Sequence, residues 1–216
     1  MSSLSEAPLG ILSLARLVPL LHIEDIEDAV PLAKTFVDAG LPVLEIALRT
    51  RVAAQAIRRI VDDVPDAVPC AGNVMTPHDL NIAVGAGAKL ALSPGSSPEL
   101  LEAAVAQQTP FVPGIATPTE LMHVISKGFH VVKFFPASPF GGAETLRAYA
   151  APFPRVRFMP TGGTSEIDYD HWLRVPSVIA VGGAWLAPVE DIARRDWAHI
   201  GKRARYAVSK FITHRP

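Results

Sequence analysis

Short apolar, β-prone runs alternate with longer amphipathic stretches from one end of the chain to the other. Apolar runs bounded by Gly or Pro read as buried strands, and helically spaced apolar residues behind a capping residue read as helices. Ser5 to Leu17 has helical spacing and predicts a short leading helix. Leu17 to Ile23 is the first strand. The acidic run Glu24-Asp25-Ile26-Glu27-Asp28 suits the N-terminus of a helix that reaches Ala39 and stops at Gly40. Pro42 to Leu48 is the second strand, and Thr50 is placed to cap a helix with Ile57, Ile60 and Val61 on one side. Ala67 to Gly72 is the third strand. Thr76-Pro77 then opens a helix with an N-cap hydroxyl followed by proline at the first helical position.

The remaining units have the same form. Lys89 to Leu92 is a strand, followed by a helix from Pro98 to Gln107. Phe111 and Val112 form a short strand ending at Pro113-Gly114, and Thr117-Pro118 opens the next helix. His130 to Phe135 is a strand, and Gly141-Gly142 leads into a helix ending near Ala150. Val156 to Met159 precedes a helix from Ser165 to Leu173. Val178 to Val181 is the last strand, and a helical region runs from there to Phe211. Eight strand-then-helix units in 216 residues fit an α/β chain folded as one (β/α)8 TIM barrel with a short N-terminal helix, a fold that starts at roughly 200 residues. The alternative is an open doubly wound sheet, but no G-x-G-x-x-G follows the first strand. No linker interrupts the pattern, so residues 1–216 read as a single domain.

Composition narrows the function classes. A hydrophobic share of 49% against 19% charged residues suits a packed domain. A net charge of −1 gives no basic surplus for nucleic acid or an anionic membrane. No basic-then-apolar leader opens the chain and no apolar run would span a bilayer, so a cytoplasmic protein is expected. The one cysteine, Cys70, rules out an internal disulfide and reads as core. His22, His78, His123, His130, His171, His199 and His214 are scattered without metal-ligand spacing, so no metal site is expected. Lys202-Arg203-Ala204-Arg205 reads as a solvated helix face.

The candidate chemistry centres on Val131-Val132-Lys133-Phe134-Phe135-Pro136, an apolar strand with a lysine in its middle. A desolvated amine gives up its proton more readily than a solvated one, and a neutral amine attacks carbonyl carbon to give a Schiff base. The alternative is a strand-end lysine whose stem is buried and whose head reaches water. Active sites of (β/α)8 barrels lie at the C-terminal ends of the strands. Strand alternation puts Glu45, Ala47 and Arg49 on one face, opposite Leu44, Ile46 and Leu48. A carboxylate and a guanidinium would then point into the barrel mouth. They read either as a general acid/base and a carboxylate-binding fork, or as a structural ion pair with Lys133 as third member. Phe135 shares the face of Lys133, where it would pack on a bound substrate or simply belong to the core. Thr161-Gly162-Gly163 and Gly182-Gly183 end the seventh and eighth strands, a common place for phosphate to meet backbone N–H groups.

Six segments in order carry a resemblance over nearly the whole chain, about Val18 to Pro188. They are Val43-Leu44-Glu45-Ile46-Ala47-Leu48-Arg49-Thr50, Ser93-Pro94-Gly95, Val112-Pro113-Gly114-Ile115, Lys133-Phe134-Phe135-Pro136-Ala137, Pro160-Thr161-Gly162-Gly163 and Gly182-Gly183-Ala184-Trp185. The chain resembles the 2-keto-3-deoxy-6-phosphogluconate (KDPG) aldolase/4-hydroxy-2-oxoglutarate aldolase family, class I Schiff-base barrels of the Entner–Doudoroff pathway. The resemblance implies Lys133 as the Schiff-base lysine, Glu45 as acid/base and Arg49 as a carboxylate ligand. It implies Pro94 and Phe135 as substrate-packing residues and Gly162, Gly163 and Gly183 as phosphate-loop residues, with Gly182 and Ala184 in the same turn. It implies no metal or organic cofactor, a phosphorylated 2-keto-3-deoxy sugar acid as the small-molecule partner, and commonly a homotrimer.

Thr161 matches the gluconate-type enzymes, whereas relatives acting on the galactonate epimer tend to be apolar there. Three positions depart from the family's pattern. Asn73 stands in place of threonine, with an amide that can still donate to a carboxylate. Ala47 stands in place of threonine between Glu45 and Arg49, and Ala184 in place of serine in the Gly-Gly-Ser-Trp turn. The expected reaction is cleavage of KDPG to pyruvate and glyceraldehyde 3-phosphate. The alternatives are an aldolase for 4-hydroxy-2-oxoglutarate or the galactonate epimer, and a non-catalytic phosphosugar-acid binder on the same barrel.

Overall fold

The structure, a computed structural model, describes residues 3–212; His214 lies outside them. Helix α1 (Ser3–Ser13) leads into strand β1 (Leu17–Leu21), and a 3-10 turn (Ile26–Asp28) precedes α2 (Ala29–Asp38). The chain continues through β2 (Val43–Ala47), α3 (Ala53–Asp63), β3 (Val68–Gly72), α4 (Pro77–Ala86), β4 (Ala91–Leu92), α5 (Pro98–Gln107), β5 (Phe111–Val112) and β6 (Gly114–Ile115). Then come α6 (Pro118–Ser126), β7 (Val131–Phe134), α7 (Gly142–Ala150), β8 (Arg157–Pro160), α8 (Tyr169–Leu173) and β9 (Val181–Gly183). A second 3-10 turn (Ala184–Leu186), α9 (Val189–Ala193) and α10 (Trp197–Ile212) complete the described chain.

All strand pairs are parallel. They form a six-stranded sheet in the order β5-β4-β3-β2-β1-β9, curled into a half-barrel, and a three-stranded sheet β6-β7-β8. Only Pro113 separates the two sheets in the chain, because β5 pairs with β4 while β6 pairs with β7. Pro113 has no N–H to give, but its carbonyl accepts from Lys133 N at 2.9 Å. The fifth strand expected at Phe111–Val112 therefore continues to Ile115 and changes sheet on the way. Val178 meets Phe158 of β8 only in an isolated bridge, and the last strand falls at Val181–Gly183 rather than Val178–Val181.

The cap chemistry read from the sequence holds for α4 and α6. Thr76 and Thr117 each accept from the backbone N–H three residues on, Asp79 and Glu120 bond back to the cap, and Pro77 and Pro118 sit at the first turn. It does not hold at Thr50. That hydroxyl donates to Ile23 O at 2.6 Å, tying the first two strand ends together, and α3 has Val52 at its N-cap position with no side-chain cap. The helix expected from Ser165 begins instead at Tyr169, because Asp168 Oδ1 draws Ser165 N (2.7 Å) and Oγ (3.0 Å) into a turn ahead of it. Apolar faces of the helices close on the sheets around Phe36, Phe111, Phe129, Phe134 and Phe158, all buried. Among the described residues no helix is long and apolar enough to cross a membrane.

Candidate active site

Lys133 and Glu45 come from different sheets, β7 and β2, yet their side chains meet. Lys133 Nζ donates to Glu45 Oε1 at 2.7 Å, with 5% and 1% of the two side chains exposed. The other carboxylate oxygen, Glu45 Oε2, is buried without a hydrogen-bond partner. Buried acceptors are normally paired, and this one keeps its accepting capacity unused beside the lysine. The lysine therefore does not send its head to solvent.

Two neighbours flank this pair. Gly72 faces Glu45 in the neighbouring strand, and a Cβ built on it would lie 2.6 Å from Glu45 Cγ, so the carboxylate occupies the volume of a missing side chain. Lys133 Nζ also stands 6.0 Å from the Phe135 ring centroid, within cation–π range. Phe135 is partly exposed, and its peptide bond to Pro136 is cis.

Arg49 does not continue the inward face of β2, as strand alternation predicted. The strand ends at Ala47, and Arg49 N turns back to Ala47 O at 2.8 Å. Its guanidinium joins Asn73 rather than Glu45: Asn73 Oδ1 accepts from Arg49 Nε at 3.2 Å and Nη2 at 3.0 Å. The alternative of a structural Glu45–Arg49–Lys133 ion network is therefore not what forms. Pro94 lies beyond β4 and is held by the buried Ser93, whose Oγ donates to Gly95 O and accepts from Gly114 N at 3.1 Å. Gly114 is the register partner of Lys133, and a Cβ there would overlap the Pro94 carbonyl.

The glycine turns form a second focus. Gly162 (φ 90°) and Gly163 (φ 79°) take the left-handed backbone that glycine favours. Ser138 Oγ donates to Gly163 O at 2.8 Å, and Thr164 Oγ1 donates to Gly182 O at 2.7 Å. Thr161 Oγ1 is buried and unpartnered beside Gly182, where a Cβ would collide with it. Ala184 is exposed at the start of the turn after Gly183. Sequence reasoning missed Trp185, whose Nε1 is a buried, unpartnered donor against Gly183. Its ring stacks on Tyr169 at 5.3 Å and 26°. Tyr169 OH donates to Ala207 O at 2.9 Å, and burial, with lesser help from Asp170, pushes this phenol up to about 12. The indole lay in view in Gly-Gly-Ala-Trp, but its packing depends on contacts far away in sequence.

Cys70 is the register partner of Glu45 in β3. Complete burial, then the nearby Glu45 charge, pushes its thiol well above the ordinary range, which keeps it out of the chemistry. Among the described residues no three His, Cys, Asp or Glu side chains gather as a metal site.

Residues 10–203 match the family model for KDPG and KHG aldolase. The KHG/KDPG aldolase of Escherichia coli (strain K12) is 44% identical over 199 residues, covering 92% of this chain and 93% of that one. Among solved structures, a KDPG aldolase from Legionella pneumophila, with pyruvate captured as a covalent carbinolamine, superposes with a TM-score of 0.90. It is 38% identical, covering 93% of this chain and 97% of that one. The 2-keto-3-deoxy-6-phosphogluconate aldolase of Zymomonas mobilis ZM4, solved with 3-phosphoglycerate, gives a TM-score of 0.86 and 39% identity, over 93% and 94% of the two chains.

Proposed function

The chain belongs to the family of KDPG and KHG aldolases, and from that premise we propose that it cleaves 2-dehydro-3-deoxy-6-phosphogluconate to pyruvate and glyceraldehyde 3-phosphate in the Entner–Doudoroff pathway, with Lys133 as nucleophile. The observation that carries the assignment of residues is the buried 2.7 Å contact between Lys133 Nζ and Glu45 Oε1.

Lys133 Nζ passes a proton to Glu45 and attacks the C2 ketone. Glu45 returns that proton to the carbinolamine hydroxyl, which leaves as water and gives a protonated imine beside an ionised Glu45. That imine is an electron sink: Glu45 removes the C4 hydroxyl proton, the C3–C4 electron pair moves into an enamine, and the aldehyde departs. Return of the proton to C3 and addition of water to the imine release pyruvate and the free amine. Proton transfer by a positioned carboxylate supplies on the order of 10²–10⁴ in rate. The unpartnered Glu45 Oε2 leaves an acceptor for the C4 hydroxyl or for an intervening water. Arg49 binds the C1 carboxylate, while Pro94 and Phe135 pack on the carbon chain. Thr161, Gly162, Gly163, Gly182 and Gly183 receive the phosphate, and the left-handed turn at Gly162–Gly163 supports that assignment.

We read the two sheets as one closed (β/α)8 barrel spanning a single domain. Main-chain bonds across the seams support this: Lys133 N to Pro113 O (2.9 Å), Phe158 N to Ser177 O (2.8 Å) and Ile179 N to Phe158 O (3.0 Å). A homotrimer in the cytoplasm completes the proposal, on the strength of the family resemblance. Sedimentation would read the subunit number.

Borohydride reduction in the presence of pyruvate, followed by peptide mass spectrometry, tests the central claim. Reduced pyruvate on Lys133 is the expected product. An unmodified Lys133 in folded protein, with no pyruvate release from KDPG in a lactate dehydrogenase-coupled assay, would overturn it.

A further inference from the structure

Asn73 follows Gly72, the last residue of β3, with a left-handed backbone (φ 59°) that asparagine accepts more readily than most residues. In the β2–β3 register Ala47 lies opposite Gly72, and Leu48 N donates to Gly72 O at 2.9 Å. Arg49 and Asn73 therefore leave their strands side by side. The two Arg49 hydrogens that Asn73 Oδ1 accepts, on Nε and Nη2, lie along one edge of the guanidinium plane. Of the five donors of the group, the other three stay available, and two of these, one on each terminal nitrogen, can grip a carboxylate in parallel. Asn73 is the only side-chain hydrogen-bond partner of Arg49 among the described residues. The preceding residue, Gly72, packs against the Glu45 carboxylate, so this brace sits one residue from the lysine–glutamate pair.

We infer that Asn73 is a positioning residue: its amide oxygen fixes the plane of Arg49 so that the free edge meets the carboxylate of the keto acid on Lys133, and Asn73 does not bind that carboxylate itself. The inference rests on the Schiff-base reading above. An exposed arginine without this brace keeps its rotamer freedom and must give it up when substrate binds.

Borohydride trapping with two ketones separates the possibilities. Pyruvate carries the carboxylate and acetone does not. Asn73→Gly removes the amide while keeping the left-handed backbone available. The expected result is a loss of trapping efficiency at low pyruvate on the order of tenfold, with acetone trapping unchanged. In an Arg49→Ala background, Asn73→Gly should cause no further loss. Equal losses with both ketones, an unchanged pyruvate reaction, or an undiminished further loss without Arg49 would each overturn the inference, the last by making Asn73 a direct ligand. Wild-type protein is the control in the same experiment. If it traps neither ketone, the Schiff-base reading falls and this inference with it. If it traps both and Asn73→Gly is indifferent, only this inference falls.

Discussion

Lys133 Nζ and Glu45 Oε1 stand 2.7 Å apart, although 88 residues separate them in the chain and their strands belong to different sheets. Taking two charges out of water costs several kcal/mol per ion, and the mutual attraction of a buried pair roughly offsets that cost. The pair therefore gives the fold little net stability, yet removing one member is expensive.

Two consequences can be measured on one set of variants. Lys133→Ala should lose cleavage and pyruvate trapping, and should also lower stability in urea by about 3–5 kcal/mol by leaving a buried carboxylate alone. Adding Glu45→Gln to a Lys133→Met chain should recover much of that stability without recovering activity. Glu45→Gln alone should lower kcat on the order of 10²–10⁴-fold. Full stability in Lys133→Ala would show that Glu45 finds another partner.

Gly72→Ala should damage the reaction through a residue it does not replace. The new methyl would fall 2.6 Å from Glu45 Cγ and push the carboxylate away from Lys133. We expect a fall in kcat approaching that of Glu45→Gln. The Gly72→Ala/Glu45→Gln double variant should be hardly slower than Glu45→Gln alone, because both changes remove the same function. Steady-state kinetics of the three variants checks this.

Ala184→Ser would restore the hydroxyl that the family's Gly-Gly-Ser-Trp turn carries. A hydrogen bond to a charged group contributes about 1.5–3 kcal/mol, so KM for the phosphorylated substrate should fall by roughly tenfold or more. The value for 4-hydroxy-2-oxoglutarate, which has no phosphate, should hardly move. Equal changes for both substrates would place the phosphate elsewhere.

Acid stability should depend on Asp191. Its hydrogen bond from Arg203 (2.9 Å), and then that from Arg194 (2.6 Å), hold the carboxyl below its ordinary 3.8 against the opposing effect of burial. Because the folded value is the lower one, this stabilisation is fully present above about pH 4 and disappears as pH falls through the folded value. Asp191→Asn should therefore be less stable at pH 7, and the difference should shrink in urea titrations carried below pH 4. An acid limb as steep in the variant as in the parent would locate the linkage in other carboxylates.

What could be read in advance was mostly local. Thr76-Pro77 and Thr117-Pro118 announce their helices because cap hydroxyl, proline and returning carboxylate all lie within four residues. Lys133 and Glu45 were legible as charges in apolar strands, where few other residues offer explanations. Arg49 was misplaced because alternation of faces stops with the strand at Ala47, and the turn that follows is set by pairing with β3. The passage of one extended segment between sheets at Pro113 likewise depends on which neighbours β5 and β6 find. Trp185 stayed unassigned because its buried N–H is defined by packing on Tyr169, not by spacing in its own segment.

The seat that Gly72 provides for Glu45 bears on transplanting this chemistry. A designer who grafts only the lysine and the glutamate onto another barrel will find the carboxylate's place filled by the Cβ of the adjacent strand. The portable unit is three residues, with one of them chosen for having no side chain. For the same reason, substitutions of Glu45 by smaller side chains should be sterically tolerated in this scaffold, whereas enlarging Gly72 displaces the carboxylate from its lysine.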